Sequence, residues 1–343
     1  MANLLSSPTE LYPFTPTADV LWEPVWNLRV SLTPCEQELL NSRPLQRLGF
    51  VHTFGAGGLT MPTSHSRLSH VRGVFALTAY FRPDDEALRL AALLHDVGHG
   101  PFSHSSEVLP GFDHHQAGRE IISGETVGEI LRRHGFEPDQ IVALANGQPP
   151  NPVRTENGLL HLDHLDFFVR DPLACGWHTP TPAEILDRLR LDGPNVAADL
   201  ATAEHLVERI LFEHRLFTAP VKVAAEAVLG QLLRMAGEKG YLSAGGLSIA
   251  TLTDADLLAQ LRQTGDLDIK ALLERLLYGL QECVVRRLEP GETPPPGALV
   301  AHFDKPYLGQ PLVEGRPVSD VSRRAASMLA EARALMGTFV VQA

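Results

Sequence analysis

Apolar residues in the first third of the chain recur at the spacing of a helix. In residues 64–81, one set of side chains is spaced by four, three and four residues: His70, Val74, Leu77 and Phe81. Residues at these intervals share one face of a helix, so the pattern predicts a helix with His70 on its core-facing side. An unbroken apolar run at the end of residues 86–96 predicts a second, buried helix.

Most of the remaining pattern is helical as well. Four further helical segments are predicted: residues 34–50, interrupted at Pro44; 111–134, with Asp113 as N-cap; 158–171, ending at Pro172; and 319–336. Several more helices are predicted between residues 181 and 288, with starts at Thr181 and Thr253. Leu45, Leu48 and Phe50 are expected to face inward. Residues 19–32 predict a short hairpin, and residues 298–313 predict short strands or loop. The fold class is therefore all-α, with small β elements near the N-terminus and in the C-terminal region.

Changes in composition divide the chain into four parts. Residues 1–20 are polar and proline-containing and predict a loose N-terminal arm, followed by a core over residues 21–180. Leucine- and alanine-rich helices over residues 181–290 extend and complete that domain. A proline-rich break then precedes a small C-terminal β/α region, residues 291–343.

Composition narrows the classes of function. The chain has 343 residues, of which 44% are hydrophobic and 20% charged, as in a globular protein with a sizeable core. A net charge of -12 argues against general binding of duplex nucleic acid, although a local basic pocket can still hold a nucleotide. Three widely spaced cysteines favour a reducing compartment. We recognise no signal peptide and no membrane span, so a cytoplasmic protein without membrane contact is expected.

Candidate chemistry is concentrated in residues 90–104, which read LAALLHDVGHGPFSH. The apolar run ends in His95 and Asp96, so both side chains are placed by a buried and rigid element. An imidazole and a carboxylate in such a place are costly unless a partner satisfies them, and a metal ion is one such partner. His99 and His104 follow within a glycine- and proline-containing turn.

Four residues on three predicted helices form a set of metal-binding type: His70, His95, Asp96 and Asp163. Two imidazoles and two carboxylates suit a hard or borderline divalent ion, namely Mn, Fe, Mg, Ni or Zn, without distinguishing among them. Such an ion neutralises phosphate charge and activates water for hydrolysis. The spacing alone supports hydrolysis of several kinds of phosphate ester.

The sequence resembles the HD-domain metal-dependent phosphohydrolases and, among them, the deoxynucleoside triphosphate triphosphohydrolases. The resemblance rests on the segments SHSRLSHVRGV (64–74), LLHDVGHGPFSH (93–104), HHQAGREII (114–122) and LDHLDFFVRD (162–171). It extends more weakly over residues 20–295. It implies an HD-domain helical bundle and cleavage of a deoxynucleoside triphosphate to deoxynucleoside and tripolyphosphate.

The resemblance also implies roles for individual residues. The metal ligands are His70, His95, Asp96 and Asp163. The resemblance places His99, His104 and His114 beside the triphosphate, with His104 a candidate general acid and Glu107 next to it. Substrate contacts fall to Arg67 for phosphate, and to Phe167, Asp171 and Thr53 near the sugar. His115, His161 and His164 have no counterpart and are expected at the surface or behind the ligands.

The chain departs from this family at the substrate pocket. The glutamine that reads the sugar 3′-hydroxyl is absent, since the corresponding residues are His52, Thr53, Phe54 and Gly55. Phe167 stands where a tyrosine is expected, and Glu107 stands where an aspartate is expected. These changes leave the metal ligands intact and alter the pocket.

The leading hypothesis is therefore a metal-dependent hydrolase of nucleotide phosphates, most of all of deoxynucleoside triphosphates. The alternatives are hydrolysis of another phosphate ester (a nucleoside monophosphate, a dinucleotide or single-stranded nucleic acid) and a non-catalytic nucleotide sensor. The resemblance further implies a homo-oligomer with a nucleotide activator, and His214 and Arg215 resemble a pair near such a regulatory site.

Overall fold

The structure is a computed structural model that describes residues 19–61, 63–242, 246–289 and 291–342. Residues 1–18 of the predicted N-terminal arm lie outside the described residues. The predicted hairpin is confirmed: β1 (Val20–Glu23) pairs antiparallel with β2 (Leu28–Ser31).

The helices of the first half surround the candidate site. They are α1 (Pro34–Asn41), α2 (Arg43–Arg47), α3 (Arg67–Phe81), α4 (Glu86–Leu94), α5 (His114–Ser123), α6 (Glu125–Arg133), α7 (Pro138–Ala145) and α8 (Leu162–Ala174). Polar side chains cap several of these helices by accepting a hydrogen bond from a first-turn N–H, among them Thr33, Ser66, Asp85 and Asp113. The predicted cap at Asp113 is thereby confirmed.

The second half is also mainly helical. Its helices are α9 (Pro182–Leu186), α10 (Leu200–Phe217), α11 (Pro220–Glu238), α12 (Gly246–Ile249), α13 (Asp254–Gln263), α14 (Leu267–Tyr278), α15 (Val318–Val321) and α16 (Arg323–Leu335). The predicted caps at Thr181 and Thr253 are present as capping boxes at the starts of α9 and α13. The all-α fold class with small β elements is confirmed.

Two further small sheets lie in the second half. Their strands are β3 (Leu189–Asp192), β4 (Asn195–Ala198), β5 (Val284–Arg287), β6 (Leu299–Phe303), β7 (Leu312–Val313), β8 (Arg316–Pro317) and β9 (Gly337–Gln342). One sheet has the order β3-β4-β7-β8, in which β4 and β7 are parallel. The other has the order β5-β9-β6 and is antiparallel.

Several predicted details are wrong. The helix over residues 34–50 breaks at Ser42, and Pro44 lies in the first turn of α2, where a missing N–H costs little. Leu45 and Leu48 are buried as predicted, but Phe50 is 69% exposed because the chain turns at the end of a 3₁₀ segment. Pro172 does not end α8, which continues to Ala174, because the proline lies in the last turn of the helix.

Other predicted helices are divided or interrupted by strands. The helical region 111–134 is two helices that meet at Gly124. The region 319–336 is likewise divided, into α15 and α16 at Ser322. The pair β3 and β4 interrupts a stretch that was expected to be helical throughout.

The core consists of three clusters of buried apolar side chains. One lies among α1, α2, α3, α4 and α7, and a second gathers around α11 with Phe102 from the loop after α4. The third includes α8, α10 and Leu77 of α3. The candidate site lies where α3, the loop after α4 and α8 meet, and so at the junction of these clusters.

Within the described residues, no single helix combines the length and apolarity needed to cross a membrane. Only α10 and α11 taken together, bent by 56° at their junction, meet that criterion of length and composition.

Candidate metal centre and cavity

Helix α3 places His70 at the centre of the site. Its ring is 1% exposed, and its Nδ1 lies 2.8 Å from Oδ2 of Asp166 on α8. A hydrogen bond donated from Nδ1–H to this carboxylate fixes the tautomer and turns Nε2 towards Asp163, whose Oδ1 is 3.1 Å away.

The end of α4 presents the next two residues. His95 is the C-cap residue of α4, and its Nδ1 lies 2.8 Å from the carbonyl oxygen of Ala92, so Nδ1–H donates there and Nε2 is directed into the site. That Nε2 is 3.4 Å from Nε2 of His70. Oδ2 of Asp96 lies 3.5 Å from Nε2 of His95 and 3.6 Å from Nε2 of His70.

The donor atoms of the four predicted ligands therefore converge. The separations between donor atoms that involve His70 or His95 run from 3.1 Å to 3.7 Å, the longest joining Nε2 of His95 to Oδ1 of Asp163. Ligands held at about 2.0–2.2 Å from one ion lie roughly 3.0–3.6 Å apart, so the separations fit a single divalent ion. Two imidazole nitrogens oriented by hydrogen bonds on their other side are the usual form of such ligands.

Electrostatics favour carboxylate anions at this centre. Burial opposes ionisation of Asp96 and Asp163, but the neighbouring histidines, joined by Arg67 at Asp96, outweigh it and hold both pKa values well below their ordinary range. Burial also opposes the charged form of His70, yet Asp163 and Asp166 outweigh it and raise the pKa of His70 to about 9.

Arg67 joins the metal ligands to the surrounding backbone. It is 6% exposed, and its Nη1 donates to Oδ2 of Asp96 at 2.9 Å. Nη2 donates to the carbonyl oxygen of Thr53 at 3.1 Å, and Nε donates to the hydroxyl of Ser103 at 3.2 Å. The guanidinium therefore has a fixed position on the wall of the cavity.

A group of three histidines and one glutamate adjoins the four donors. The rings of His99 and His114 are stacked with centroids 4.1 Å apart, and His104 is nearly perpendicular to both. Oε1 of Glu107 lies 2.9 Å from Nδ1 of His104 and 2.5 Å from Nδ1 of His114. These bonds outweigh burial and lower the pKa of Glu107. The structure thus brings together all four residues predicted for catalysis.

The residues predicted near the sugar also line the cavity. Asp171 is 1% exposed, and its Oδ1 lies 2.5 Å from Nε2 of His65. The other nitrogen of His65 is 3.2 Å from Oγ1 of Thr53, so His65 connects Thr53 to Asp171. Phe167 contributes an aromatic wall together with Tyr307. Sequence reasoning did not single out His65 or Tyr307.

The cavity has a volume of about 940 Å³. It is lined by His70, Asp96 and Asp163 of the metal donors and by the histidine group, and it extends to the loop of residues 305–310 and to α16. This C-terminal wall lies outside the segments on which the family resemblance rests, so sequence reasoning did not predict it.

A buried ionic network supports the metal centre from behind. Arg170 donates from Nε and Nη2 to the two oxygens of Asp166, at 2.9 and 2.8 Å, and from Nη2 to Glu23 at 2.8 Å. The indole N–H of Trp26 donates to Oδ1 of Asp166 at 2.7 Å. Asp166 was not predicted as a site residue, although its spacing of three from Asp163 places both on one face of α8.

Two predicted positions lie elsewhere. His214 is buried in α10, and its Nδ1 lies 2.7 Å from the carbonyl oxygen of Ile210. Arg215 points to the surface and forms an ion pair with Glu331 of α16. The two side chains therefore diverge, and neither lines the cavity.

Two histidines expected at the surface or behind the ligands line the cavity instead. His161 is 4% exposed and His164 is half-buried, and their ring centroids are 4.1 Å apart. His115 also lines the cavity, next to His114.

Comparison with known proteins supports a hydrolase with a metal centre. Residues 67–159 match the family model of the HD domain, and proteins with this domain are generally metal-dependent hydrolases. The uncharacterized protein YwfO of Bacillus subtilis is 29% identical over 236 residues, which are 60% of this chain and 53% of YwfO. The chain thus spans about half the length of that relative.

Two more distant similarities concern named phosphohydrolases. The human deoxynucleoside triphosphate triphosphohydrolase SAMHD1 is 23% identical over 166 residues, covering 40% of this chain and 26% of SAMHD1. The crystal structure of a phosphohydrolase from Bacteroides thetaiotaomicron has a TM-score of 0.72 and 16% identity, and the match covers 94% of this chain and 99% of that one. At this identity the similarity to the solved structure concerns the fold.

Proposed function

We propose that this protein hydrolyses nucleotide phosphates with a divalent metal ion, and that its substrates are deoxynucleoside triphosphates cleaved to deoxynucleoside and tripolyphosphate. The observation that carries the proposal is the position of Arg67 and of His99, His104 and His114 in one cavity with the metal donors His70, Asp96 and Asp163. The similarity to SAMHD1 supports the choice of substrate.

Separate groups in the cavity would neutralise the phosphate charge and transfer the proton. An ion bound by His70, His95, Asp96 and Asp163 would neutralise phosphate charge and activate the attacking water. Arg67, held in place by Asp96, presents a guanidinium to the phosphate oxygens. His104 donates a proton to the leaving oxygen, and Glu107 orients its ring through Nδ1.

The opposite part of the cavity suits a nucleoside. Asp171 offers carboxylate oxygens to a sugar hydroxyl, and its link through His65 to Thr53 fixes its orientation. Phe167 and Tyr307 offer aromatic surfaces against which a sugar or base can pack. The stretch from His52 to Gly55 lacks the glutamine that reads the sugar 3′-hydroxyl, so we expect weaker discrimination between deoxyribose and ribose.

The proposal includes a cytoplasmic homo-oligomer with a nucleotide activator. His214 and Arg215 remain its candidate regulatory residues. The exposed Arg215, paired with Glu331, is the member of the pair that a partner or activator can reach.

Chromatography of the products tests the reaction. The purified protein is incubated with manganese and a mixture of deoxy- and ribonucleoside triphosphates, and we expect nucleoside plus tripolyphosphate. The ratio of deoxynucleoside to ribonucleoside measures how far Thr53 relaxes sugar recognition.

The Asp96→Ala variant is the control for the metal centre. It should lose both bound metal and turnover, while helical content measured by circular dichroism stays near that of the unmodified protein. Orthophosphate as the product, or consumption of monophosphates or dinucleotides alone, would replace the proposed substrate with another phosphate ester. Nucleotide binding without any turnover by the metal-replete protein would instead indicate a sensor.

A further inference from the structure

Two histidines beside Asp163 have no part in the proposed reaction. His161 directly precedes α8 and His164 lies in its first turn, so both flank Asp163 in the chain. Their rings lie with centroids 4.1 Å apart and planes inclined by 37°. Both rings line the cavity that contains the first metal donors.

Both rings carry a buried nitrogen that lacks a partner. Among the described residues, no group forms a hydrogen bond with Nδ1 of His161 or with Nδ1 of His164. A buried polar atom left without a partner destabilises the folded protein, so two such atoms on adjacent rings are unusual. A ligand bound between the rings would explain why the two side chains are brought together.

The donor atoms lie close enough together to be candidates for one metal site. One ring nitrogen of His161, one of His164 and one carboxylate oxygen of Asp163 all lie within 4.8 Å of one another. Oδ1 of Asp163 also faces Nε2 of His70 at 3.1 Å. The Asp163 carboxylate therefore stands between the two histidine pairs, where its two oxygens can bridge two ions.

The chemistry of this group favours a cation. It contains two imidazoles and one carboxylate, and the carboxylate repels an anion. Arg154, whose Nη2 lies 3.3 Å from Nε2 of His115, and Lys305 also line the cavity. Imidazole-rich donor sets prefer zinc, iron or nickel over magnesium.

We propose that His161, Asp163 and His164 bind a second divalent ion, adjacent to the first and sharing Asp163 with it. This site goes beyond the proposed function, which requires only the first ion. Two adjacent ions would hold both the attacking and the leaving oxygen in the hydrolysis of a phosphate ester, and the protein would bind two ions per chain.

Metal stoichiometry tests the second site without reference to activity. The full chain is saturated with zinc, freed of loosely bound ions and analysed by mass spectrometry for metal per chain. We expect two ions in the unmodified protein and one in His161→Gln/His164→Gln. The control His178→Gln changes an exposed histidine and should retain two ions.

A single variant and a spectroscopic measurement distinguish the loss of the second ion from misfolding of the double variant. His164→Gln alone alters a half-buried ring and should also reduce the count to one in a protein with unchanged thermal unfolding. With manganese in place of zinc, electron paramagnetic resonance should show a spin-coupled pair in the unmodified protein and an isolated ion in His164→Gln.

Three results would overturn the proposal. One ion in the unmodified protein, with no change in the double variant, excludes a second site and leaves the proposed hydrolase intact. Two ions retained in the double variant place the second ion elsewhere, for example on the group of His99, His104, Glu107 and His114. Unchanged metal binding with weakened binding of inorganic phosphate makes the two histidines an anion site.

Discussion

The position of each metal ligand depends on residues that do not bind the metal. Asp166 accepts four hydrogen bonds, one each from Trp26 and His70 and two from Arg170. Its charge and position determine which nitrogen of His70 faces Asp163. The carboxylate of Asp166 therefore sets the geometry of the metal centre, although it lies one turn of α8 away from the ligand Asp163.

Asp166→Asn tests this role. An amide offers one acceptor oxygen in place of two and loses the charge, so His70 is no longer held in the tautomer that binds metal. Loss of such an orienting partner lowers metal affinity by about 10–100-fold. Isothermal titration with zinc measures the change.

The matched control is Asp139→Asn, an exposed carboxylate in the first turn of α7. It should leave metal affinity unchanged. Thermal unfolding of both variants separates a loss of stability from a loss of affinity. Undiminished affinity in a folded Asp166→Asn protein would contradict the orienting role.

The sequence predicted the candidate metal ligands better than the residues that form hydrogen bonds with the site residues. His70, His95, Asp96 and Asp163 stand out because histidine and aspartate are rare on apolar faces, and the structure brings their donor atoms together. Asp166 and His65 were missed because their roles depend on contacts 96 and 106 residues away in the chain. No local pattern reports contacts of that range.

At the scale of elements, α8 organises the cavity. It contributes Asp163, Asp166, Phe167, Arg170 and Asp171, which are spaced by three, one, three and one residues and so share one face. Such a stripe is normally apolar and faces the core. Here it includes charged side chains, which are paired with histidines, as Asp163 and Asp171 are, or with one another, as Asp166 and Arg170 are.

Helix α13 holds the loops at the other side of the site. Asp254 at its N-terminus accepts hydrogen bonds from the backbone N–H of His52 at 2.9 Å and of Phe102 at 2.6 Å. Its Oδ2 also lies 2.5 Å from Nδ1 of His52. Phe102 and Ser103 adopt left-handed backbone conformations, with φ of 54° and 52°, so this turn needs such restraint.

Asp254→Asn should loosen this turn. The amide accepts fewer of the three hydrogen bonds, and buried donors left without partners cost about 1–3 kcal/mol in free energy of unfolding. We expect a loss of that size in urea unfolding, together with weaker nucleotide binding because Thr53 and Ser103 adjoin the turn.

Asp256→Asn on the same helix provides the comparison. Asp256 is exposed and takes part only in the capping box of α13 with Thr253. The same substitution there should weaken the helix start without changing nucleotide affinity. Equal effects of the two substitutions on nucleotide affinity would show that Asp254 has no special role in the turn.

Helices, caps and the N-terminal hairpin were predicted well, whereas the strands β3, β4 and β5 were not predicted. The caps Thr181, Thr253 and Asp113 act within one turn of helix. The neighbouring residues in the sequence are therefore enough to predict where these helices begin. The pair β3 and β4 was missed although Asp192 and Gly193 provide a turn signal. The pairing of β4 with β7 joins Ala197 to Leu312, and only tertiary contacts determine such a register.

At the scale of the molecule, residues from outside the segment that matches the HD domain also form the cavity. The HD domain match covers residues 67–159, yet Asp163 lies just beyond it and Thr53 before it. Arg47 donates to the carbonyl oxygens of Val97 and His99 and to that of Leu252, and so ties the first half to the second.

The reactivity of cysteines tests this packing. Cys35 is 2% exposed, and burial, followed by Glu36, Glu38 and Glu86, raises the pKa of its thiol to about 12. Because a thiolate is the reactive form, Cys35 should stay unlabelled at pH 8 until the protein unfolds. Cys175 is exposed and should react first.

A thiol reagent followed with time at pH 8 measures these rates. Cys175→Ser should remove the fast phase and leave the slow phase of Cys35 unchanged. Rapid labelling of Cys35 in the native protein would contradict the packing of α1 in the core.

The bond between Trp26 and Asp166 gives the metal centre an optical signal. Trp26 is 1% exposed, and two hydrogen bonds separate its indole from Nε2 of His70. A dication placed at the centre alters the electric field along this path, and the emission wavelength of a buried indole depends on that field. Of the three tryptophans in the chain, Trp26 is the one bonded to this path, so its fluorescence reports whether the centre is filled.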